Sequence, residues 1–270
     1  GARIHTAPIA KHTALYAIPI SSFENVPDVI EDVANNNPET IEVYDQTTLR
    51  LSCESDPQVK KHLEHLLSFK AVLLVQYAEE TRRELQEKAQ YFEQACQNHK
   101  IAFESAEYDV EAAHWKTRRN SYGLFRDNAN KGRPVPLIED ISVHRKDLDT
   151  LFDEIDDIMK KYDYEYVFHG HIGDASIRVF PLVDFSKKDA KENLYNMAKE
   201  VFEVVLAKNG TISTDHGDGI VRTPFLPMMY EKKMRDIFQE IKNAFDPKNI
   251  FNPGKKLSVT KDYFLQHIVD

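Results

Sequence analysis

The order of strand-type and helix-type segments constrains the fold of this chain more than any other feature. Short apolar runs, such as His12–Ile20 and Ala71–Tyr77, alternate with longer segments whose apolar residues recur every three or four positions. This order occurs twice, over residues 1–106 and 107–257, and each half predicts a ferredoxin-like split βαβ unit. We therefore expect an α+β fold, in which the two units share a large, mostly antiparallel sheet with helices packed on one face.

The apolar periodicity also predicts which helix faces are buried. A helix capped by Ser186 is expected to bury an apolar stripe that runs to Val205. The last long helix, stopped by Pro247, is expected to bury six apolar residues. These are Tyr230, Met234, Ile237, Phe238, Ile241 and Phe245.

Composition and charge exclude several classes of protein. The 270 residues are 41% hydrophobic and 29% charged, an ordinary balance for a soluble globular chain. The net charge of −9 argues against a broad nucleic-acid-binding surface, which needs clustered Lys and Arg. It does not argue against an anionic small molecule, because one buried arginine can bind one carboxylate. The longest apolar run, Ala71–Val75, is too short to cross a bilayer, so no transmembrane segment is expected.

The two cysteines indicate the compartment. Cys53 and Cys96 are far apart and no CxxC pair occurs, which excludes a disulfide framework and a cysteine-rich zinc or iron–sulfur site. Reduced thiols in the cytoplasm are the simplest interpretation. The opening segment Ile4–Pro8 is typical of the middle of a longer protein, and we expect the chain to be a fragment.

Reactive side chains concentrate in two loops, His169–Asp174 and Asp215–Gly219. Together these loops hold three histidines, three aspartates and four glycines. Such a set can bind a divalent metal such as Zn, Mn or Fe, or supply a general base. The alternative is that aspartate and glycine shape turns while the histidines satisfy backbone groups. Spacing leaves both interpretations open, and neither loop matches a strong zinc or metalloprotease signature.

Two further segments have both a functional and a structural interpretation. The basic stretch Trp115–Arg119, with Arg126, is either a solvated face or a place where one arginine turns inward and clamps a carboxylate. The segment Asp246–Lys255 is either a helix stop and turn, or a turn that presents Asn252 to a ligand. The chain has no GxGxxG motif or P-loop for a nucleotide, and no GxSxG or SxxK motif of a serine hydrolase.

Six motifs follow one another along nearly the whole chain. They are Ile41–Asp45, Trp115–Arg118, Glu139–Val143, Gly170–Asp174, Gly210–Ser213 with Asp215–Gly217, and Phe245–Pro247 with Asn252–Lys255. In this order they resemble the C-terminal domain of FAD-linked oxidases of the vanillyl-alcohol-oxidase superfamily. That group includes the glycolate oxidase flavin subunit, D-lactate dehydrogenase and D-2-hydroxyglutarate dehydrogenase. The segment Asp215–Arg222 further resembles the subgroup that is often fused to iron–sulfur modules.

The resemblance implies a role in an FAD-dependent enzyme. Residues 1–270 would be its C-terminal, substrate-side domain, inactive alone, and the flavin-binding domain would precede them on the same polypeptide. The implied reaction oxidises a small 2-hydroxy acid to a 2-keto acid. FAD takes the hydride, and an electron-acceptor protein, iron–sulfur in part of the group, reoxidises it. The implied location is cytoplasmic, with attachment to the periphery of the inner membrane allowed.

The resemblance also implies roles for individual residues. Arg118 falls on the arginine that binds the substrate carboxylate, and His216 on the histidine that acts as general base near the flavin. Asn252 falls on the Asn-Pro turn beside the flavin, so Asn252 and His216 are the expected cofactor contacts.

The resemblance also implies a metal site, and its set of ligands is incomplete in this chain. Family members with a metal use His171, a second histidine seven residues later, and an acid just before the catalytic histidine. Here the last two positions hold Arg178 and Asp215. Because an arginine cannot ligate a metal, His171 and Asp215 are an incomplete ligand set for a divalent ion such as Zn. Arg178 is then expected to replace the positive charge of the metal next to the substrate.

Two other functions compete with a flavoenzyme domain. One is a ferredoxin-like regulatory module that binds a small acid and catalyses nothing. The other is a metal-dependent hydrolase that uses His171, Asp215 and His216. The missing second histidine argues against the hydrolase, and the Asn252–Lys255 segment, useful only against a flavin, argues against the regulatory module. The flavoenzyme domain is therefore the leading hypothesis.

Overall fold

The structure is a computed structural model that describes residues 3–6, 8–128 and 132–268. The chain divides into two compact units. The first comprises Gly1–Arg119 and His171–Gly173, and the second comprises Asn120–Gly170 and Asp174–Asp270. The boundary between Arg119 and Asn120 falls inside the helix Tyr108–Asn128. The division into halves 1–106 and 107–257 stays a prediction.

The first unit is built on four antiparallel strands in the order β4-β1-β3-β2. The strands are β1 (His12–Ile20), β2 (Thr40–Asp45), β3 (Ala71–Glu79) and β4 (Glu104–Ala106). β1 pairs with β3 along its whole length, with Tyr16 opposite Val75 at the centre. Both are interior strands of this order, which explains why their sequences are apolar runs and why both were predictable.

Several helices of the first unit begin at side-chain caps. They are α1 (Val26–Ala34), α2 (Gln46–Ser55), α3 (Pro57–Leu63), α4 (Arg82–Asn98) and α5 (Tyr108–Asn128), which continues into the second unit. Asp56 caps α3, and Thr81 with Glu84 forms a capping box on α4. Residues of β1, α2, α3, β3 and α5 meet in one apolar cluster. This cluster includes Leu15, Leu49, Leu63, Leu74 and Ala113.

In the second unit, β8 is paired on both sides. The strands are β5 (Arg133–Pro134), β6 (Ile138–Ser142), β7 (Tyr166–His171) and β8 (Ser176–Val183). β5 and β6 pair antiparallel with β8, and β7 is its other neighbour. After Gly210, Thr211 forms an isolated bridge with Ser142. The predicted α+β class with a mostly antiparallel sheet is confirmed.

The helices of the second unit follow the predicted pattern in part. They are α6 (Leu148–Lys161), α7 (Ala190–Ala207), α8 (Gly219–Arg222), α9 (Leu226–Met229), α10 (Lys232–Phe245) and α11 (Lys261–Gln266). α7 buries the predicted stripe from Ala190 to Val205. The predicted cap is wrong, because Ser186 Oγ donates to Asp184 and α7 begins only after Asp189. Within the described residues, no helix is both long and apolar enough to cross a membrane.

The burial predicted for α10 is wrong. None of its residues is buried, and Ile241 and Phe245 are 53% and 86% exposed. Periodicity predicts that a helix has an apolar face, but not what covers that face. The exposed apolar side chains of α10 and of the segment after it are called here the α10 surface. They are Met234, Ile237, Ile241, Phe245, Ile250 and Phe251.

Candidate functional site

Of the basic side chains on α5, Arg118 is the one that turns inward. Arg118 is 8% exposed, whereas Arg119 and Arg126 are exposed. Arg119 lies over the Trp115 ring, and Arg126 pairs with Asp127. The clamp interpretation of this stretch therefore fits Arg118 alone, while the other arginines form a solvated face.

The buried face of α5 is fixed by polar contacts next to Arg118. His114 Nδ1 lies 2.7 Å from Tyr44 Oη, and Thr117 Oγ1 lies 2.9 Å from Ser52 Oγ. Burial lowers the pKa of His114 to about 4, so this ring is neutral near pH 7. Positions 114, 117 and 118 share one face because residues three and four apart are neighbours on a helix. These contacts orient the helix so that Arg118 points into the first unit.

Glu42 on β2 receives Arg118. Arg118 Nε donates to Glu42 Oε2 at 2.8 Å, and Arg118 Nη2 lies 2.6 Å from the same oxygen. The other oxygen, Oε1, lies 2.5 Å from His171 Nδ1 and accepts from Thr40 Oγ1 at 3.1 Å. Glu42 is 6% exposed, so this carboxylate is a buried charge compensated by an arginine and two further hydrogen-bond donors.

The ionisation of Glu42 follows from these partners. Burial on its own raises the pKa of Glu42, but the hydrogen bond from His171 and the charge of Arg118 outweigh it, so the pKa lies below the usual value. An ionised carboxylate can only accept hydrogen bonds, so Nδ1 is the protonated nitrogen of His171 in this contact. The environment of Arg118 thus already holds one carboxylate by two N–H groups. No role for Glu42 followed from the sequence, although a glutamate between Ile41 and Val43 of a predicted strand is a visible signal.

In the second unit, the loop that carries His216 is held by the buried Asp140 of β6. Asp140 Oδ1 accepts from Asp215 N at 2.9 Å and from Thr214 Oγ1 at 2.5 Å. Asp140 Oδ2 accepts from Thr214 N at 2.9 Å and from His216 N at 3.2 Å. Burial raises the pKa of Asp140, but these hydrogen bonds outweigh it and lower the pKa.

The imidazole of His216 is less constrained than its backbone. The side chain is 36% exposed, and Nδ1 lies 3.5 Å from Glu139 Oε1. Arg222, 1% exposed, lies near both acidic residues of β6, with Nη1 3.6 Å from Glu139 Oε1 and Nη2 3.3 Å from Asp140 Oδ2. A histidine beside a carboxylate, on a fixed loop and open to solvent, can accept a proton from a bound molecule.

The two expected metal ligands have other partners. His171 contacts Glu42, and Asp215 lies 3.4 Å from Arg178 Nη2. Among the described residues, no group of three or more His, Cys, Asp or Glu side chains is arranged to hold a metal ion. A carboxylate ion-paired with a guanidinium does not fit a cation site, so His171 and Asp215 do not fit a divalent metal.

The remaining histidine of the first loop is structural. His169 is 6% exposed, its Nδ1 lies 2.7 Å from Ser121 Oγ, and its ring packs on Phe180. A Cβ on Gly170 would collide with the backbone oxygen of Ser176, so only glycine fits where β7 meets β8. This part of the His169–Asp174 loop therefore follows the structural interpretation.

Asn252 lies in a turn that Asp246 holds in place. Asp246 accepts from Ile250 N at 2.9 Å and from Phe251 N at 2.8 Å, and it also accepts from Lys242 Nζ. The Lys242 ammonium and these backbone bonds lower the pKa of Asp246 to about 2. Beside the turn is a surface cavity of about 270 Å³ lined in part by Lys242 and Asn252. Sites that enclose small molecules measure roughly 300–1,000 Å³, so this cavity lies just below the usual size of a ligand pocket.

Comparison with known families and proteins agrees with this architecture. The family model described as "FAD linked oxidases, C-terminal domain" matches residues 9–256. The chain belongs to this family. The match includes residues of both units and all six motifs up to Lys255.

Individual relatives extend the comparison. Glycolate oxidase subunit GlcD of Bacillus subtilis is 31% identical over 247 residues, which are 90% of this chain and 49% of that protein. D-2-hydroxyglutarate dehydrogenase of Pseudomonas putida is 25% identical and covers 94% of this chain and 26% of its own length. The chain thus spans half or less of these two relatives.

A solved structure shares the fold. A 4-ethylphenol oxidase from Gulosibacter chungangensis superposes with a TM-score of 0.70 at 14% identity, over 94% of this chain and 55% of the oxidase chain. At this identity the likeness concerns the fold alone.

Proposed function

We propose that this family member is the substrate-side domain of an FAD-dependent 2-hydroxy-acid dehydrogenase or oxidase of the glycolate, D-lactate or D-2-hydroxyglutarate type. The observation that carries the proposal is Arg118, a buried guanidinium that already binds a carboxylate by two N–H groups. The names of the relatives, glycolate oxidase subunit GlcD and D-2-hydroxyglutarate dehydrogenase, support the choice of a 2-hydroxy acid.

The surroundings of each residue support its proposed role. Arg118 binds the substrate carboxylate, because its planar guanidinium matches two oxygens and stays charged. Arg178, whose side chain is 14% exposed, is the second proposed substrate-binding arginine. His216 accepts the hydroxyl proton of the substrate at Nε2, since its Nδ1 faces Glu139.

FAD, when bound, supplies the hydride acceptor, and Asn252 and His216 are its proposed contacts from this domain. Most of the flavin site is proposed to lie in an N-terminal flavin domain of the same polypeptide, which fits a chain that matches 49% of its GlcD relative. An electron-acceptor protein, iron–sulfur or other, then reoxidises the flavin. We also propose a cytoplasmic location, with attachment to the periphery of the inner membrane allowed, because both cysteines are free and buried.

The α10 surface supports the flavin domain as a partner. Six large apolar side chains are exposed on α10 and the segment after it, and contiguous exposed apolar surface is typical of interaction sites. The same segment holds Asn252, the proposed flavin contact.

The experiment is to express the longer protein, including any preceding domain, and to mix it anaerobically with glycolate, D-lactate and D-2-hydroxyglutarate. We expect stoichiometric FAD, and bleaching of the flavin absorbance by at least one acid but not by the corresponding 2-keto acid. The 270-residue chain alone should be colourless. A flavin-free longer protein, or a flavin that none of the three acids reduces, would contradict the proposal. A regulatory module would bind an acid without any redox change.

A further inference from the structure

We infer that Asp140 is a positioning residue of the reaction: its buried carboxylate fixes the backbone of Thr214, Asp215 and His216 and so places the His216 imidazole. The inference rests on the proposed function for the role of His216. The anchoring itself is a property of the second unit alone, and it can be tested independently of that role.

The anchoring is unusually complete for a loop. Three consecutive backbone N–H groups, of Thr214, Asp215 and His216, donate to one carboxylate, and the Thr214 hydroxyl donates as well. Asp140 is 1% exposed, so water cannot substitute for these bonds. The loop residues 214–216 belong to no helix or strand, so regular secondary structure does not hold their N–H groups. Successive N–H groups converging on an anion form a concave backbone nest.

Arg222 secures the other side of His216. It is 1% exposed, lies 3.3 Å from Asp140 Oδ2, and donates through Nη2 to the backbone oxygen of Gly217. The backbone is therefore held at 214–216 by the carboxylate and at 217 by the guanidinium. His216 lies between the two, with an imidazole that is 36% exposed and open to a ligand.

The chemistry of the anchor requires a carboxylate. Both oxygens of Asp140 receive two bonds each from donors of the loop. An asparagine keeps the shape but replaces one acceptor oxygen by an NH₂ donor, so at least two loop donors lose their acceptor in either amide orientation. Asp140→Asn thus changes the volume of the side chain very little but removes hydrogen bonds that hold the loop.

The first measurement is hydrogen exchange of the longer flavoenzyme without substrate. In the wild type we expect slow exchange at the amides of 214–216, and in Asp140→Asn at least tenfold faster exchange there, with the β3 amides unchanged. The wild-type result needs no variant, so it stands even if Asp140→Asn fails to fold. Fast exchange at 214–216 in the wild type, or unchanged exchange in a folded variant, would overturn the inference.

The second measurement is anaerobic flavin reduction by the acid in the same variant. We expect the limiting rate to fall by about tenfold to a hundredfold, because small misplacements of a reacting group have costs of that order. The substrate Kd should stay within about threefold, since Arg118 is untouched. A merely structural role would lower the Tm and leave the rate of folded enzyme unchanged, and that outcome overturns the inference.

Thr214→Val is the matched control. It removes the hydroxyl bond to the same carboxylate and leaves the three backbone bonds, so the rate should stay near the wild-type value. A rate lost equally in Thr214→Val and Asp140→Asn would contradict backbone anchoring. If His216→Ala reduces the flavin at the wild-type rate, the proposed role of His216 fails, while the exchange data still decide whether Asp140 holds the loop.

Discussion

The described residues include two buried carboxylate–arginine pairs, Glu42 with Arg118 in the first unit and Asp140 with Arg222 in the second. Glu42 accepts hydrogen bonds from side chains, one of them Arg118 itself. Asp140 instead accepts from the backbone of the loop that carries His216. Arg118, the proposed substrate-binding residue, is thus itself a member of an ion pair. The imidazole of His216, the proposed base, belongs to neither pair, and the pair of Asp140 and Arg222 only holds its backbone.

This difference predicts how substitutions should behave. Removing Arg118 leaves the Glu42 charge buried without its guanidinium, so binding and stability should fall together. Removing the His216 imidazole leaves the Asp140 anchor intact, so the rate of flavin reduction should fall while the free energy of unfolding stays nearly unchanged.

The largest expected effect is that of His216→Ala on flavin reduction. Loss of a general base typically lowers a rate by about 10²–10⁴-fold. The free energy of unfolding should change by less than about 0.5 kcal/mol, as for most exposed positions. Single-turnover reduction and urea unfolding of the same preparation give both numbers. His62→Ala, on α3, is the control and should change neither, and a large loss of stability in His216→Ala would erase the contrast between the two pairs.

Arg118→Ala should weaken both stability and acid binding. Breaking a buried ion pair costs about 3–5 kcal/mol, and losing a charge-assisted hydrogen-bond pair weakens binding by about ten- to a hundredfold. Arg118→Lys should restore the charge but only part of the affinity, because an ammonium lacks the planar fork.

Urea unfolding and titration with the acid measure these two effects. Arg119→Ala, an exposed neighbour on the same helix, is the control and should be close to wild type. Unchanged stability in Arg118→Ala would show that Glu42 does not depend on Arg118.

A second contrast, between α7 and α10, tests whether the α10 surface is exposed in the chain alone. Leu194→Ala on α7, at a fully buried position, should cost about 2–5 kcal/mol. Ile241→Ala on α10 should cost less than about 0.5 kcal/mol in the 270-residue chain. In the longer protein, Ile241→Asp should lower the Tm, because the flavin domain is proposed to cover this side chain. Equal costs for Leu194→Ala and Ile241→Ala in the chain alone would show that α10 is packed.

The smallest expected effect concerns Asp246, another carboxylate that accepts hydrogen bonds from the backbone. Its folded pKa is about 2, below the ordinary value of about 3.9 for an unfolded chain. A lowered folded pKa contributes stability above the unfolded pKa, and this contribution is lost as the pH falls from about 4 to about 2. Asp246→Asn should therefore flatten the loss of stability in that window, measured by denaturant unfolding at pH 5 and at pH 3. An unchanged pH dependence would contradict the lowered pKa.

Local patterns predicted much of the fold. β1 matches the predicted His12–Ile20, because an interior strand needs a continuous apolar run. The stripe of α7 matches because its covering layer is part of the same unit. α2, Gln46–Ser55, has no matching prediction, because its residues are mostly polar and the Asp45 cap is its clearest signal. The exposure of α10 could not be predicted from periodicity, because periodicity identifies an apolar face but not the partner that covers it.

The site was less predictable because its partners are far apart in the chain. Glu42 and Arg118 are separated by 76 positions, and Asp140 and His216 also by 76. The motifs located Arg118 and His216, but no spacing rule connects either residue to its carboxylate. Both carboxylates lie within strands and adjoin an apolar residue, and this is the sequence signal that each has a buried donor.

The most direct test measures the limiting rate of flavin reduction and the substrate Kd together, in Arg118→Lys and His216→Ala of the longer flavoenzyme. Anaerobic stopped-flow over a range of acid concentrations gives both parameters for each variant. We expect Arg118→Lys to raise the Kd several-fold with a nearly unchanged limiting rate, and His216→Ala to lower the limiting rate with a nearly unchanged Kd. The same parameter changing in both variants, or neither changing in a folded protein, would contradict the assignment of carboxylate binding to Arg118 and proton transfer to His216.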